Sequence, residues 1–170
     1  MSQYAIMIRP ATVDDFIAIV ALNLAFERFL SPLDASRLAR LDHACAYHKV
    51  IELDKRMAAF LLAFRERADY DSINYQWFDQ RYERFLYIDR IVVAEGYRGM
   101  GLARTLYDDI FEYARQSLVT QVALEYDIDP PNEPSRRLHQ SLGFVEVGRQ
   151  DAVGKQVSLQ MVTLVPSPVS

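Results

Sequence analysis

The residues of this chain best suited to chemistry form a short glycine-containing stretch between a strand-like and a helix-like segment. The stretch reads Tyr97-Arg98-Gly99-Met100-Gly101-Leu102-Ala103-Arg104. Its glycines leave backbone N–H groups uncovered where a helix would begin, and unpaired donors at the positive end of a helix dipole attract an anion. Arg98 adds a positive charge beside them. The pattern therefore predicts a site for a phosphorylated ligand.

The segments on either side of the stretch predict the elements that would position it. Residues 85–93 are rich in β-branched and aromatic side chains, which predicts a strand. Residues from about 101 to 117 repeat apolar side chains every three or four positions, which predicts an amphipathic helix. Tight turns also use glycine for conformational reasons alone, so a purely structural turn stays open at this point.

A second cluster follows about thirty residues downstream, from Asn132 to Phe144. Together the two clusters resemble the GNAT superfamily of acetyl-CoA-dependent N-acetyltransferases. The first motif of that superfamily is matched here by Arg98, Gly101 and Ala103. The second is matched by Asn132, Ser135, Leu138, Gly143 and Phe144, whereas the position usually held by tyrosine carries His139.

The resemblance implies an α/β GNAT fold with a central mixed, mostly antiparallel sheet of six to seven strands flanked by about four helices. It also implies acetyl-CoA as co-substrate. The pyrophosphate would be cradled by the backbone of Arg98, Gly99, Met100, Gly101, Leu102, Ala103 and Arg104. The pantetheine arm would bind along the backbone of Ile91, Val92 and Val93, with Asn132 opposite and Ser135 in the same motif.

Two residues are assigned to catalysis. By resemblance, His139 would lie near the thioester sulfur, and because imidazole titrates near neutrality it could protonate the leaving thiolate; a packed, non-catalytic histidine is the alternative. The general base is not identified by a motif. Four carboxylates are candidates for the base: Glu125, Asp127, Asp89 and Glu27. We expect Glu125 to be the general base.

The implied function is transfer of an acetyl group from acetyl-CoA to a primary amine, that of a small molecule, by direct attack in a ternary complex. One alternative is a non-catalytic acyl-CoA-binding or regulatory module of the same fold. A Rossmann-type dinucleotide binder is another, because Gly99, Gly101 and Ala103 follow a strand and open a helix. However, too few residues follow this turn to form the second mononucleotide-binding half of a Rossmann-type domain.

Composition and charge limit the number of domains and the kinds of ligand that we expect for this chain. The 170 residues are 51% hydrophobic and 25% charged, which suits a single domain over residues 1–170. A net charge of −4 argues against a nucleic-acid ligand and mildly favours a cationic acceptor.

Cys45 alone cannot form an internal disulfide, and no spacing of histidine, cysteine and carboxylate residues suggests a metal site. No signal peptide or apolar run of ~20 residues is seen, so we expect a cytoplasmic protein without a membrane span.

The rest of the chain predicts an ordered series of helices and strands. Before the central strand we expect a strand over 4–9, a helix from Thr12 to about Phe26, a helix over 35–47, and a hairpin of 49–53 with 57–64. The first helix would bury Phe16, Ile19, Val20, Leu24 and Ala25. After the helix predicted over about 101–117 come a strand over 120–127, a helix over 134–142 and strands over 144–149 and 155–165.

An insertion over about 66–84 is the least predictable segment. It carries Tyr70, Tyr75, Trp77, Phe78 and Tyr82 among charged residues. These aromatic side chains could wall an acceptor pocket, form a homodimer contact or pack on the domain core.

Overall fold

The computed structural model describes residues 5–166, and the fold is α/β with a mixed seven-stranded sheet and five helices. The strands are β1 (Met7–Pro10), β2 (Tyr47–Leu53), β3 (Arg56–Arg65), β4 (Leu86–Val93), β5 (Gln121–Asp129), β6 (Val145–Ala152) and β7 (Lys155–Thr163). The helices are α1 (Phe16–Ala25), α2 (Ala35–Ala44), α3 (Ile73–Asp79), α4 (Leu102–Gln116) and α5 (Glu133–Ser141). The strand order is β1-β2-β3-β4-β5-β7-β6.

The chain forms two compact units. The first unit comprises the described residues up to Phe64 together with Asp89–Ile110. In it, β1 and β2 pair antiparallel, as do β2 and β3. The predicted hairpin is confirmed with a tighter turn than expected, since only Asp54 and Lys55 separate the strands and both have positive φ, 49° and 62°.

The first predicted helix is confirmed, but its buried face is corrected at two positions, because Leu24 and Ala25 are both exposed. Thr12 donates its N–H to Asp15 Oδ2 at 2.7 Å, and a 3₁₀ turn over Val13–Asp15 leads into α1. Leu24 was expected inside, yet it is 66% exposed, while Asn23 is 1% exposed. Asn23 is buried because its amide donates to the Ser31 carbonyl at 3.1 Å, which satisfies a polar group that would otherwise be costly to bury.

Two boundaries in the first unit also differ from expectation. The helix predicted over 35–47 ends at Ala44, because Tyr47 already pairs with Ala63 in the sheet and is buried there. Pro10 is the last residue of β1, so the strand ends one residue later than predicted. Since β1 is an edge strand, the missing N–H of proline can be tolerated there. Of the strand predicted over 4–9, Tyr4 lies outside the described residues.

The second unit comprises Arg65–Ile88 and the described residues from Phe111 onward. Here β5 pairs antiparallel with β7, and β7 pairs antiparallel with β6 through a turn closed by Ala152 and Lys155. The start of β4 runs parallel to β5, with Leu86 opposite Val122. The elements predicted for this part of the chain are present, with ends shifted by up to three residues.

The insertion contains helix α3, which the sequence pattern did not predict. Ser72 caps its N-terminus by accepting a hydrogen bond from the Tyr75 N–H at 3.3 Å. Tyr75 and Phe78 are 1% and 0% exposed, so these aromatic side chains pack in the core of the second unit. Within residues 5–166, no helix combines the length and apolar character needed to cross a membrane.

Candidate active site

The glycine-containing loop connects β4 to α4 in the first unit. A 3₁₀ turn over Glu95–Tyr97 follows β4, and Arg98 then has an extended backbone. Gly99 and Gly101 have φ of 79° and 77°, a left-handed conformation that residues with a Cβ rarely adopt. Two such glycines, one residue apart, turn the chain sharply from strand to helix.

The loop presents an unbroken run of free backbone donors. Among residues 5–166, nothing accepts a hydrogen bond from the N–H groups of Gly99 through Arg104. Thr105 is the first whose N–H is bonded, to the Gly101 carbonyl at 3.0 Å. A Cβ added at Gly99 or Gly101 would meet no atom within 4 Å, so the space beside the loop is open. Six consecutive donors at the start of a 15-residue helix form a site suited to an anion.

Arg98 and the buried face of α4 support the loop. The Arg98 guanidinium lies 5.1 Å from the ring centre of Phe26, a cation–π contact that restrains the exposed side chain. Leu102 and Leu106 are 1% and 0% exposed, which holds the first turns of α4 in place. The loop is therefore an exposed run of backbone donors at the start of a firmly packed helix.

The strand before the loop carries a buried ion pair. Arg90 Nε lies 2.6 Å from Asp89 Oδ2, and the two side chains are 3% and 5% exposed. Arg90 Nη1 also donates to Asn23 Oδ1 at 2.9 Å and to the Ser31 carbonyl at 3.2 Å. These bonds link β4 to α1. In the stretch predicted to bind the pantetheine arm, Val92 is buried whereas Ile91 and Val93 are half-buried.

The second motif begins at Asn132 in the second unit. Asn132 caps α5, because its Oδ1 accepts a hydrogen bond from the Ser135 N–H at 3.3 Å. Gly143 has a φ of 90° and follows the end of α5, as expected of a helix C-terminus. The motif residues thus have a structural role in α5, and the cofactor contacts of Asn132 and Ser135 stay predictions.

His139 is enclosed between two aromatic rings. It is 5% exposed, stacks on Tyr126 at a centroid distance of 5.9 Å and meets Phe144 edge-on at 5.4 Å. Burial lowers the pKa of His139 to about 4, although its hydrogen bond to the Ser135 carbonyl acts in the opposite direction. At neutral pH the ring is uncharged, and Nδ1, 2.7 Å from that carbonyl, carries the proton. This environment disfavours a histidinium; the general-acid role stays a prediction.

The four carboxylates considered as a general base have different surroundings. Asp89 is paired with Arg90, and Asp127 lies 3.1 Å from Lys155 Nζ. Glu27 lines a cavity of about 360 Å³ in the first unit. Two of the four carboxylates thus lie next to a cationic side chain of this chain.

Glu125 accepts hydrogen bonds from two uncharged side chains. The Tyr87 hydroxyl donates to Glu125 Oε2 at 2.6 Å, and the Asn74 amide donates to Oε1 at 3.3 Å. All three residues lie in the second unit. Neither Tyr87 nor Asn74 was identified from the sequence: each lies far from Glu125 along the chain, and Asn74 sits in a helix that the pattern did not reveal.

A model of the acetyltransferase (GNAT) family matches residues 16–144. The chain belongs to the GNAT acetyltransferase family. The match includes both the glycine loop and the second motif. It overturns the dinucleotide-binding alternative, because the glycine spacing that suggested a Rossmann turn is part of the GNAT domain.

Solved structures of GNAT proteins share the fold of this chain at low sequence identity. Ard1 from Thermoplasma volcanium has a TM-score of 0.78 at 15% identity, covering 95% of this chain and 99% of that one. The ribosomal-protein-S18-alanine N-acetyltransferase from Escherichia coli has a TM-score of 0.71 at 16% identity, covering 96% and 97%. The protein yncA from Salmonella typhimurium, solved with its cofactor acetyl-CoA, has a TM-score of 0.72 at 19% identity, covering 98% of both chains. Comparison with curated proteins by sequence gives no match.

Over residues 5–166 there is no group of three or more histidine, cysteine, aspartate or glutamate side chains that could hold a metal ion.

Proposed function

We propose that this GNAT protein transfers an acetyl group from acetyl-CoA to the primary amine of a small molecule, with both substrates bound at once. The observation that carries the proposal is the run of free N–H groups from Gly99 to Arg104 at the start of α4. A pyrophosphate offers the several negatively charged oxygens that such a run of donors can bind.

The remaining cofactor contacts follow from the family resemblance. The pantetheine arm would bind along the backbone edge of Ile91, Val92 and Val93 like an added strand. The same resemblance assigns contacts to Asn132 and Ser135. The structure with acetyl-CoA among the fold neighbours supports the choice of cofactor.

The proposed reaction is a direct attack. Glu125 accepts a proton from the substrate ammonium, and the free amine then attacks the thioester carbonyl carbon. A C–N bond forms, and a backbone N–H of β4 stabilises the tetrahedral oxyanion. The positively charged nitrogen of this intermediate loses its extra proton to water as the C–S bond breaks, which releases the amide and the coenzyme A thiolate. Because the His139 ring is uncharged at neutral pH, the thiolate would leave without a histidinium to protonate it.

Charge and the position of α3 support a small cationic acceptor. The chain has a net charge of −4, and a carboxylate held by neutral donors attracts an ammonium group. Asn74 places α3 directly beside Glu125, which leaves less room there for an extended peptide than for a compact amine. One fold neighbour is named for an alanine of a ribosomal protein, so a protein amine belongs among the acceptors tested.

The cofactor assignment can be tested by thermal unfolding with acetyl-CoA, coenzyme A or NADH. A ligand at 100 times its dissociation constant adds about 2.7 kcal/mol, which raises the melting temperature of a chain of this size by about 5–10 °C. We expect this rise with acetyl-CoA and coenzyme A. A rise with NADH alone would contradict the proposal.

Gly101→Glu makes the test specific to the loop. The added carboxylate would stand where the pyrophosphate binds, so the rise in melting temperature with acetyl-CoA should disappear. Gly154→Glu is the matched control, because Gly154 also has a positive φ, 72°, and open space around it. The control should keep the rise, and an unchanged rise in Gly101→Glu would refute the loop assignment.

The acceptor is tested by release of free thiol from acetyl-CoA with a panel of free amino acids, polyamines, amino sugars and N-terminal peptides. Release with small amines supports the proposal. Release with peptides alone would replace the small molecule by a protein acceptor. Cofactor binding without release for any amine would favour the non-catalytic alternative.

A further inference from the structure

Helix α3 is connected to the Glu125 carboxylate in two ways. Asn74 of the helix bonds the carboxylate directly, and two aromatic residues of the helix pack on Tyr87 of β4, which also bonds it. We infer that α3 is a positioning element for this carboxylate, with Asn74 and Tyr87 as its positioning residues. The inference rests on the proposed role of Glu125 as general base. It gives a function to the insertion over 66–84, which the sequence left open.

The direct contact is made by Asn74, the second residue of α3. Its amide nitrogen donates to Glu125 Oε1 at 3.3 Å. Its amide oxygen accepts a hydrogen bond from Gln150 Nε2 at 2.8 Å. Because Gln150 donates to the oxygen, the Asn74 amide keeps its N–H groups toward the carboxylate. A strand residue thus fixes which end of the amide faces Glu125.

The indirect contact runs through Tyr87 on β4. Its hydroxyl donates to Glu125 Oε2 at 2.6 Å, and its side chain is fully buried. Two aromatic residues of α3 enclose the ring: Tyr75 lies edge-on at 5.5 Å and Phe78 lies at 5.8 Å. A ring packed in this way has little freedom to rotate, so its hydroxyl points steadily at the carboxylate.

The helix is itself anchored within the second unit. The Tyr75 hydroxyl donates to the Arg65 carbonyl at 2.6 Å and accepts from the Ala68 N–H at 2.8 Å. Trp77 packs so closely on Gly148 of β6 that a Cβ there would lie 2.5 Å from its ring. These contacts tie both faces of a seven-residue helix that would not be stable alone.

Holding both oxygens matters because proton transfer depends on geometry. A general base must lie within hydrogen-bond reach of the proton that it removes, and small displacements reduce the rate strongly. Asn74 donates to one carboxylate oxygen and Tyr87 to the other, so the two bonds together fix the orientation of the Glu125 carboxylate.

The orientation can be measured without an acceptor. In protein labelled with [δ-¹³C]glutamate, the carboxyl signal of Glu125 is the one missing from Glu125→Gln. We expect this signal to shift in Asn74→Ala and in Tyr87→Phe, because each removes one donor. It should not shift in Gln76→Ala, an exposed residue of the same helix, or in Tyr47→Phe, which loses a similar bond to Asp109 at 2.7 Å. Unchanged signals in both donor variants would overturn the inference.

Turnover gives the second readout, using the amine from the panel that releases thiol fastest. One lost hydrogen bond should lower kcat about tenfold in Asn74→Ala and in Tyr87→Phe, with the KM for acetyl-CoA within about twofold. Asn74→Asp is nearly the same shape but places a like charge against Glu125, so its kcat should fall further than that of Asn74→Ala. If Asn74 only packed against its neighbours, Asn74→Asp would keep a higher kcat than Asn74→Ala, because aspartate has nearly the shape of asparagine. That result would overturn the inference.

Glu125→Gln separates this inference from the proposed function. If Glu125→Gln keeps full turnover, Glu125 is not the base and the inference fails with it. If Glu125→Gln loses activity while Asn74→Ala and Tyr87→Phe match the wild type in kcat, Glu125 stays the base and only the positioning role is wrong. Melting temperatures of all variants show whether a loss of kcat comes from unfolding.

Discussion

Replacing His139 with phenylalanine should remove a pH dependence from the stability of this protein. The ring is 5% exposed, and burial lowers the pKa of His139 from 6.5 to about 4. Between those values the unfolded chain binds a proton that the folded chain excludes, so the free energy of unfolding falls as the pH falls. The stability is complete above about pH 6.5 and is lost progressively toward pH 4.

The size of the effect follows from the two pKa values. Linkage gives a loss of about 2 kcal/mol between pH 7 and pH 5, and about 3 kcal/mol by pH 4. Phenylalanine keeps a ring between Tyr126 and Phe144 but cannot titrate. It also loses the bond to the Ser135 carbonyl, which changes stability by an amount that does not depend on pH in this range.

The assay is urea unfolding of the wild type and His139→Phe at pH 7, 6 and 5. The quantity to follow is the wild-type free energy of unfolding minus that of the variant, because other titrating groups cancel. His48, whose pKa burial also lowers, is one such group. The difference should decrease by about 2 kcal/mol from pH 7 to pH 5. A constant difference would refute the reasoning, and an increase would mean that the fold stabilises a histidinium, which would revive the general-acid role.

Two further substitutions test packing and buried charge in the same way. Gly148→Ala should lower the free energy of unfolding by about 1–3 kcal/mol, because the new Cβ would lie 2.5 Å from the Trp77 ring. Gly96→Ala is the control. A Cβ at Gly96 would have no atom within 4 Å, so this variant should change the stability little. Arg90→Met should cost about 3–5 kcal/mol by leaving the Asp89 carboxylate buried without its partner. Adding Asp89→Asn to Arg90→Met should restore part of that loss, and equal stability of the single and double variants would argue against the buried-charge explanation.

The glycine loop and the helix after it could be predicted because their conformations depend on neighbouring residues. Apolar spacing predicted a helix over about 101–117, and α4 spans Leu102–Gln116. Gly99 and Gly101 indicated a turn before the helix, and both have positive φ in the structure. A backbone turn and the free donors at a helix start need no distant partner, so a local stretch of sequence contains the information for an anion site.

Burial was predicted less well where polar groups pair through tertiary contacts. Apolar periodicity placed Leu24 inside, whereas the structure buries Asn23 in hydrogen bonds with Ser31 and Arg90. Helix α3 was missed because seven residues with charged neighbours give no clear period, and its stability comes from the core that it packs against.

The family, the glycine loop and the order of the main elements can be recognised from residues that lie close together along the chain. The surroundings of the residues proposed for catalysis depend on the tertiary structure. Glu125 is held by Tyr87 and Asn74, which lie 38 and 51 positions away along the chain. The low pKa of His139 comes from enclosure by Tyr126 and Phe144. Backbone conformation is set largely by adjacent residues, whereas the solvation and orientation of a side chain depend on residues that folding brings around it.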